Sequence, residues 1–422
     1  MAQRKKYSVA DVIDFVTNGD VSDLSDLSDD DEFLANENVN TDNCAAADVD
    51  DNHDDDDDGD DDDIPLAALK KKHEYQWVKK DLNSDYIDTS LCEHQFKDIP
   101  DKISSPFQYF KYFFTDELLQ LIVENTNLYS TQKSGKCINT ALDEISMLIG
   151  MQMLMGLVKL PAYSSFWSTS LRYPLIADNM PRNRYKLLRQ NLHFVDNTTF
   201  LEDSGKLFKI APVIELIRKQ CISLEPERFH AIDEQIIPSK TKYSKIRQYN
   251  PKKPCKWGFK NMVRAGRSGM MYDFYLYAGK ESTIPAEYSH LSVSAQSVAY
   301  LCMELPKHED KVVFFDNWFS TLDLIQYLKG IGIKGAGTFR PNRLHGCPVI
   351  PSKELKKKDR GSLDYRIDKN SALIVVKWLD NSIVHLVSNC FGIAPLSTIY
   401  RWCSKTKEKK KRCFPIYSGS IQ

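Results

Sequence analysis

Residues 228–238, RFHAIDEQIIP, and residues 311–317, KVVFFDN, decide how this chain is read. Each holds an apolar, aromatic and β-branched run that ends in an acid: Phe229 to Ile232 lead into Asp233, and Val312 to Phe315 into Asp316. Runs of this composition predict strands, so each aspartate is placed at a strand end. Between them lie two further strand-like runs, CKWGFKNMVRA (255–265) and MMYDFYLYA (270–278), separated by glycines. Then comes SVSAQSVAYLCMEL (292–305), which reads as a helix. A second helix, TLDLIQYLKGI (321–331), and a strand, KGAGTFR (334–340), follow Asp316.

Three strands, helix, strand, helix, strand is the order of an RNase H-like mixed sheet. The helix at 292–305 is a crossover, so the strand at 311–317 is expected to run parallel to the one at 228–238. The fold class expected is therefore α/β, a mixed sheet core over residues 226–345. Before it, FQYFKYFFTDELLQLIVENTNLY (107–129), ALDEISMLIGMQMLMGLVKL (141–160), RNRYKLLRQNLHFV (182–195) and FKIAPVIELIRKQCISL (208–224) have helical texture, which predicts a helical domain over 100–225. Asp116 and Asp143 sit where first-turn acids are favoured, and Met147, Met151, Met153 and Met155 read as core filling rather than a cofactor box. After the core, SLDYRI, ALIVVKWLD and SIVHLVS predict short antiparallel strands with turns at Lys369-Asn370 and Asp380-Asn381, a β insertion over 346–392. Residues 393–422 read as a basic tail.

The formal net charge of -2 hides a strong segregation. From Asp20 to Asp63 there are 21 acidic residues and no Lys or Arg, whereas residues 64–422 hold 53 of the 56 basic and 35 of the 58 acidic residues, a net of +18. Like charge at that density repels itself and buries little apolar surface, so residues 1–75 are expected to be a disordered acidic region. It is a solvated tail, an interaction tail for basic partners such as histones, a decoy for a basic face, or a target for an acid-directed Ser kinase. An apolar spacing at Val9, Val12, Ile13 and Val16 suggests a short helix ahead of it. The positive body points to a polyanion partner. The ten cysteines include no CxxC pair, which argues against zinc ribbons and against a secreted disulfide framework. No apolar leader and no run of 18 apolar residues is present, so neither a signal peptide nor a membrane span is expected.

Two aspartates at neighbouring strand ends suit phosphoryl transfer on DNA, which uses two divalent ions about 3.5–4 Å apart. Magnesium takes oxygen ligands, often one or two carboxylates plus substrate phosphates. An aspartate at a strand end is also common for purely structural reasons, and pattern alone leaves both roles open. Glu234 should face the opposite side of its strand from Asp233, as a surface or structural carboxylate. The segment KIRQYNPKKPCKWGFK (245–260) interleaves Arg247, Lys252, Lys253, Lys256 and Lys260 with Tyr249, Trp257 and Phe259. Cations for phosphates and planar rings for bases are what nucleic-acid grooves use; a solvated hairpin is the plainer alternative. KTKEKKKR, Lys405 to Arg412, is a nuclear-import signal, a phosphate-binding patch or a chance basic run.

AIDEQIIPSK (231–240), QYNPKKPCKWGFK (248–260), FFDNWFSTLDL (314–324) and GAGTFR (335–340) resemble, in order and spacing, the signature blocks of piggyBac transposases and piggyBac transposable element-derived proteins. The similarity runs from about Phe107 to Asn389. The resemblance implies an RNase H-like DDE core, a preceding helical dimerisation and DNA-binding domain, and an all-β insertion after Arg340. It places Asp233 on the family's first catalytic and metal-binding aspartate and Asp316 on the second, with Mg2+ or Mn2+ as cofactor. It also implies DNA contact through Arg247, Lys252, Lys253, Lys256, Trp257, Lys260 and Arg340.

Family members continue into a Gly-Gly-Val-Asp block with a third catalytic aspartate, and many end in a Cys-rich zinc-binding domain. This sequence has neither, and after Asp380 its only acid is Glu408. Two carboxylates under-coordinate a metal pair, so the leading expectation is a nuclear, transposase-derived DNA-binding protein with an incomplete catalytic core, inactive alone. The alternatives are an active metal-dependent DNA transposase or nuclease, and a chromatin interaction protein working through the acidic tail. The partners expected are DNA, chromatin or basic proteins through that tail, and a second copy as a homodimer, with no membrane.

Overall fold

The computed structural model describes residues 74–82, 105–201, 205–239, 241, 244, 246–251, 253–279, 284–394, 396–403 and 408–415. The acidic run and Lys252 lie outside them, as do Lys405 and the chain beyond Pro415. No described helix is long and apolar enough to cross a membrane. The chain divides into two compact units, one within residues 110–213 and one within 56–109 and 214–422.

The first unit is helical, as its sequence texture predicts. Helix α1 (Pro106–Phe113) ends just before Thr115, whose hydroxyl accepts from the Leu118 amide at 3.3 Å and so caps the N-terminus of α2 (Asp116–Ser134). A left-handed Gly135 closes α2 by donating to the Thr131 carbonyl at 2.8 Å. Helices α3 (Leu142–Leu157) and α4 (Arg182–Asn191) pack with α2; Leu118, Leu119 and Ile122 of α2, Ile145 and Leu148 of α3, and Tyr185 and Leu188 of α4 are buried. Arg184 clamps Glu144 through Nε and Nη2, both at 2.6 Å. The methionine stripe is only partly core: Met151 is buried, but Met147 and Met153 are exposed. Two residues advance about 200° around a helix, which turns Met153 away from the face of Met151.

The second unit opens with β1 (Trp77–Val78) and helix α5 (Ala211–Ile222). Its strands β2 (Phe229–Pro238), β3 (Gln248–Tyr249), β4 (Trp257–Gly266), β5 (Met271–Leu276), β6 (Val312–Phe315) and β7 (Lys334–Thr338) alternate with α6 (Val293–Leu301) and α7 (Leu322–Gly330) in the expected order. Across the sheet the core runs β5-β4-β2-β6-β7, with β2–β4 and β4–β5 antiparallel and β2–β6 and β6–β7 parallel. Strand β6 is buried at all four positions, as a parallel strand covered on both faces must be. On one face Ile232, Met262, Val313 and Phe315 pack against Val298, Leu301, Leu324 and Ile325 of α6 and α7. On the other, Phe229, Val312 and Phe314 pack with Phe391, whose ring stacks 5.8 Å from that of Phe314.

Strands β8 (Leu363–Asp368), β9 (Ile374–Leu379) and β10 (Ile383–Ser388) form at the places read from sequence. Leu386, Val387 and Ser388 of β10 pair antiparallel with Thr338, Gly337 and Ala336 of β7, so the three strands extend the core sheet and β1 closes its far edge on β8. Strand β9 is buried at every position because both of its faces are packed, Val375 in one core cluster and Ile374 and Val376 in the other. Within the expected basic tail, Leu396–Cys403 (β11) and Glu408–Pro415 (β12) pair as a two-stranded ribbon.

Candidate functional site

The parallel register pairs Ile232 with Phe315. The next residues are Asp233 and Asp316, so two acids distant in sequence stand side by side where the β2–β6 pairing ends, while β2 itself runs on to Pro238 against β4. Each is fastened locally: Asp233 Oδ1 accepts from the Glu234 amide at 2.8 Å, and Asp316 Oδ1 from the Trp318 amide at 2.9 Å. Both side chains reach solvent, yet the protein around them displaces enough water to raise their pKa values. Asp233 is pushed up to about 6 by that partial burial and by the Glu234 carboxylate, against the pull of the Lys253 ammonium. Asp316 is raised by partial burial and by Glu234, with Arg340 opposing.

Glu234 thus acts on both aspartates, a role that strand alternation alone did not suggest. Its carboxylate is half-buried and lies 3.4 Å from Lys253 Nζ. Lys253, expected to face phosphates, is instead committed to an acid.

Two further residues shape this site and were missed in sequence. Arg343 is buried, and its Nη1 donates to the carbonyls of Asn317 (3.2 Å), Trp318 (3.0 Å) and Ser320 (3.1 Å), fixing the loop that follows Asp316. Nothing in the local sequence separates it from Arg340. Gly337 allows β7 to approach β6: a Cβ there would lie 2.6 Å from the Phe315 carbonyl oxygen, one residue before Asp316.

The basic segment splits into three parts. Arg247 lies over the Trp257 ring at 4.0 Å, and the Tyr249 ring packs on that same indole with centroids 4.8 Å apart. Tyr249 and Trp257 remain 52% and 47% exposed, so this stack of one cation and two rings is open to a ligand. Lys260 reaches the other way, over Trp318 at 3.9 Å, which joins β4 to the loop after Asp316. Lys256 is exposed, Arg340 stands near Asp316, and Lys252 lies outside the described residues.

Beneath the site is a buried ionic group. His230 donates through Nε2 to the Glu227 carbonyl at 2.8 Å, Arg264 Nε donates to the Leu301 carbonyl at 2.8 Å, and Arg218 Nε meets Asp273 Oδ1 at 2.6 Å. Burial and the neighbouring Arg264 hold His230 down to about 3, so it is neutral and presents Nδ1 to Arg264.

The residues present do not by themselves make a cage for two divalent ions. Asp233 and Asp316 each have one oxygen engaged by a backbone amide, Glu234 is paired with Lys253, and among the described residues no group of three or more His, Cys, Asp or Glu could hold a metal ion.

The family model described as transposase IS4 matches residues 105–421. PiggyBac transposable element-derived protein 2 of Homo sapiens is 30% identical over 342 residues, covering 79% of this chain and 56% of that protein. PiggyBac transposable element-derived protein 3 of Homo sapiens is 31% identical over 310 residues, covering 72% and 51%. The chain spans about half the length of these curated relatives. Among solved structures, the cryo-EM structure of a piggyBac transposase synaptic complex with hairpin DNA superposes with a TM-score of 0.57 at 23% identity, over 73% of this chain and 64% of that one, a likeness of fold.

Proposed function

The chain belongs to the piggyBac-type transposase family, and from that premise we propose that it works as a nuclear DNA-binding protein that does not cut DNA by itself. The observation that carries this reading is the open stack of Arg247, Trp257 and Tyr249. It offers a cation for phosphate and flat rings for a sugar or base, at β3 and the start of β4, the strand that pairs with β2. Lys256 adds positive charge just before β4, and Arg340, after β7, adds it near Asp316. Divalent-metal dependence is a property of the family's chemistry, but Glu234 is paired with Lys253 and each aspartate has one oxygen tied to a backbone amide, which favours binding over cleavage.

A second reading, an active strand-cutting enzyme, is favoured by one observation: the parallel register that sets Asp233 beside Asp316. One experiment separates them. The purified chain is incubated with end-labelled duplex DNA in Mg2+ or Mn2+, and binding is measured across a salt series. Salt-sensitive binding without nicking is expected, with Arg247→Ala plus Lys256→Gln flattening the slope of log affinity against log salt by about 0.9 for each phosphate left un-neutralised. Metal-dependent nicking that disappears in Asp316→Ala would establish the second reading. Binding that ignores salt would remove the first.

A further inference from the structure

The ribbon of β11 and β12 belongs to no part of the carboxylate site, and its register sorts its residues onto two faces. Trp402 pairs with Lys409, Tyr400 with Lys411, Thr398 with Cys413 and Leu396 with Pro415; successive positions alternate across a strand, so these share one face. Ile399 with Arg412, Arg401 with Lys410, and Cys403 with Glu408 take the other. On the first face each aromatic residue thus has a lysine at the directly opposite position. Tyr400 and Trp402 are 65% and 58% exposed, and Lys409 is exposed beside them. Residues 396–415 carry seven basic residues and one acid. The ribbon is held by Arg360, which donates through Nη1 to the Trp402 carbonyl at 3.3 Å while its Nε pairs with Asp380 at 2.6 Å.

We propose that this face of the ribbon, with Tyr400, Trp402 and Lys409, is a binding site for unpaired DNA. Rings that accept bases, with cations beside them for phosphates, are the two components of single-strand recognition. Spacing selects the unpaired strand over the duplex. Residues two apart on a strand are about 6.8 Å apart, twice the ~3.4 Å rise per nucleotide of a stacked duplex strand, so Tyr400 and Trp402 suit bases that have been splayed. An extended peptide-like reading of the basic run is disfavoured because Lys409 to Arg412 are already paired along the ladder with Ile399 to Trp402. This inference rests on the reading of the chain as a DNA-binding protein, and adds a second site with a different ligand.

The test uses the full chain, a labelled oligothymidine and a duplex of equal length, with anisotropy read across a salt series. Tyr400→Ala plus Trp402→Ala is expected to weaken oligothymidine binding ~10-fold or more while leaving duplex binding unchanged. Tyr400→Phe plus Trp402→Phe, which keeps the rings, should restore most of it. Lys409→Gln plus Lys411→Gln should flatten the single-strand salt slope by about 0.7 per lysine, and Arg401→Gln plus Lys410→Gln, the same charge change on the opposite face, should not. Equal losses from both cation pairs would overturn the proposal and leave the run as bulk charge or as an import signal read by a protein. So would oligothymidine affinity that survives loss of both rings. A wild-type chain that binds duplex but no oligothymidine overturns this inference alone; one that binds neither overturns the proposed function with it.

Discussion

Replacing Arg218 by methionine tests how the second unit is held beneath its candidate site. Asp273 is fully buried, and Arg218 meets both of its oxygens, Nε to Oδ1 at 2.6 Å and Nη2 to Oδ2 at 3.2 Å, while Nη1 donates to the Tyr300 hydroxyl at 2.9 Å. Burial raises the pKa of Asp273 even with Arg218 present, so its charge depends on that partner. Removing one partner of a buried pair costs about 3–5 kcal/mol. The Phe274 amide still donates to Oδ1 at 2.8 Å and Arg264 remains nearby, which places the expected loss at the lower end, about 3 kcal/mol. Urea denaturation followed by far-UV circular dichroism reads it. Because the cost is that of an orphaned charge rather than of a missing attraction, Arg218→Met with Asp273→Asn should recover half of it or more. A loss under about 1 kcal/mol for Arg218→Met, or a double variant no better than the single one, would refute the reasoning.

Acid should destabilise the fold through two buried histidines. His230 is held down to about 3 by burial and Arg264, and His385 to about 4 by burial and Lys377, both below the ordinary value near 6.5. Their folded pKa values are depressed, so the unfolded chain takes up protons that the native chain cannot. Stability is therefore full above about pH 6.5 and declines as pH falls toward 4 and then 3, by at most about 1.4 kcal/mol per pH unit for each histidine. Urea midpoints between pH 7 and pH 5 measure this, and His230→Gln should flatten the trend. Gly337→Ala should cost about 1–3 kcal/mol, since its Cβ would sit 2.5 Å from Ser320 Oγ and 2.6 Å from the Phe315 oxygen; an unchanged urea midpoint would show that β6 and β7 can part there without strain.

The order of strands and helices in the core, the helices before it and the placing of Asp316 just after a strand were legible in the sequence; Asp233, expected at a strand end, lies within β2, which goes on pairing with β4 as far as Pro238. The legible features rest on local facts: an apolar run buries, a period of two or of 3.6 selects strand or helix, and the first acid after the run marks where it leaves the core. Tertiary structure decided what each element met. Strands β8 to β10 read alike whether they form a separate unit or extend a sheet, because pairing depends on which edge is open, and β7 takes up β10 once it is assembled. Glu234 alternates away from Asp233 along β2, yet it influences Asp316 because a neighbouring strand brings that residue within reach. Lys253 and Lys260 look interchangeable as basic residues, but one lies against Glu234 and the other over Trp318. The basic run at 409–412 reads as a tail until β11 pairs with it and gives it two faces. A side chain's face within its own strand is set by neighbours in sequence, whereas its partners are set by contacts that close only when distant segments come together.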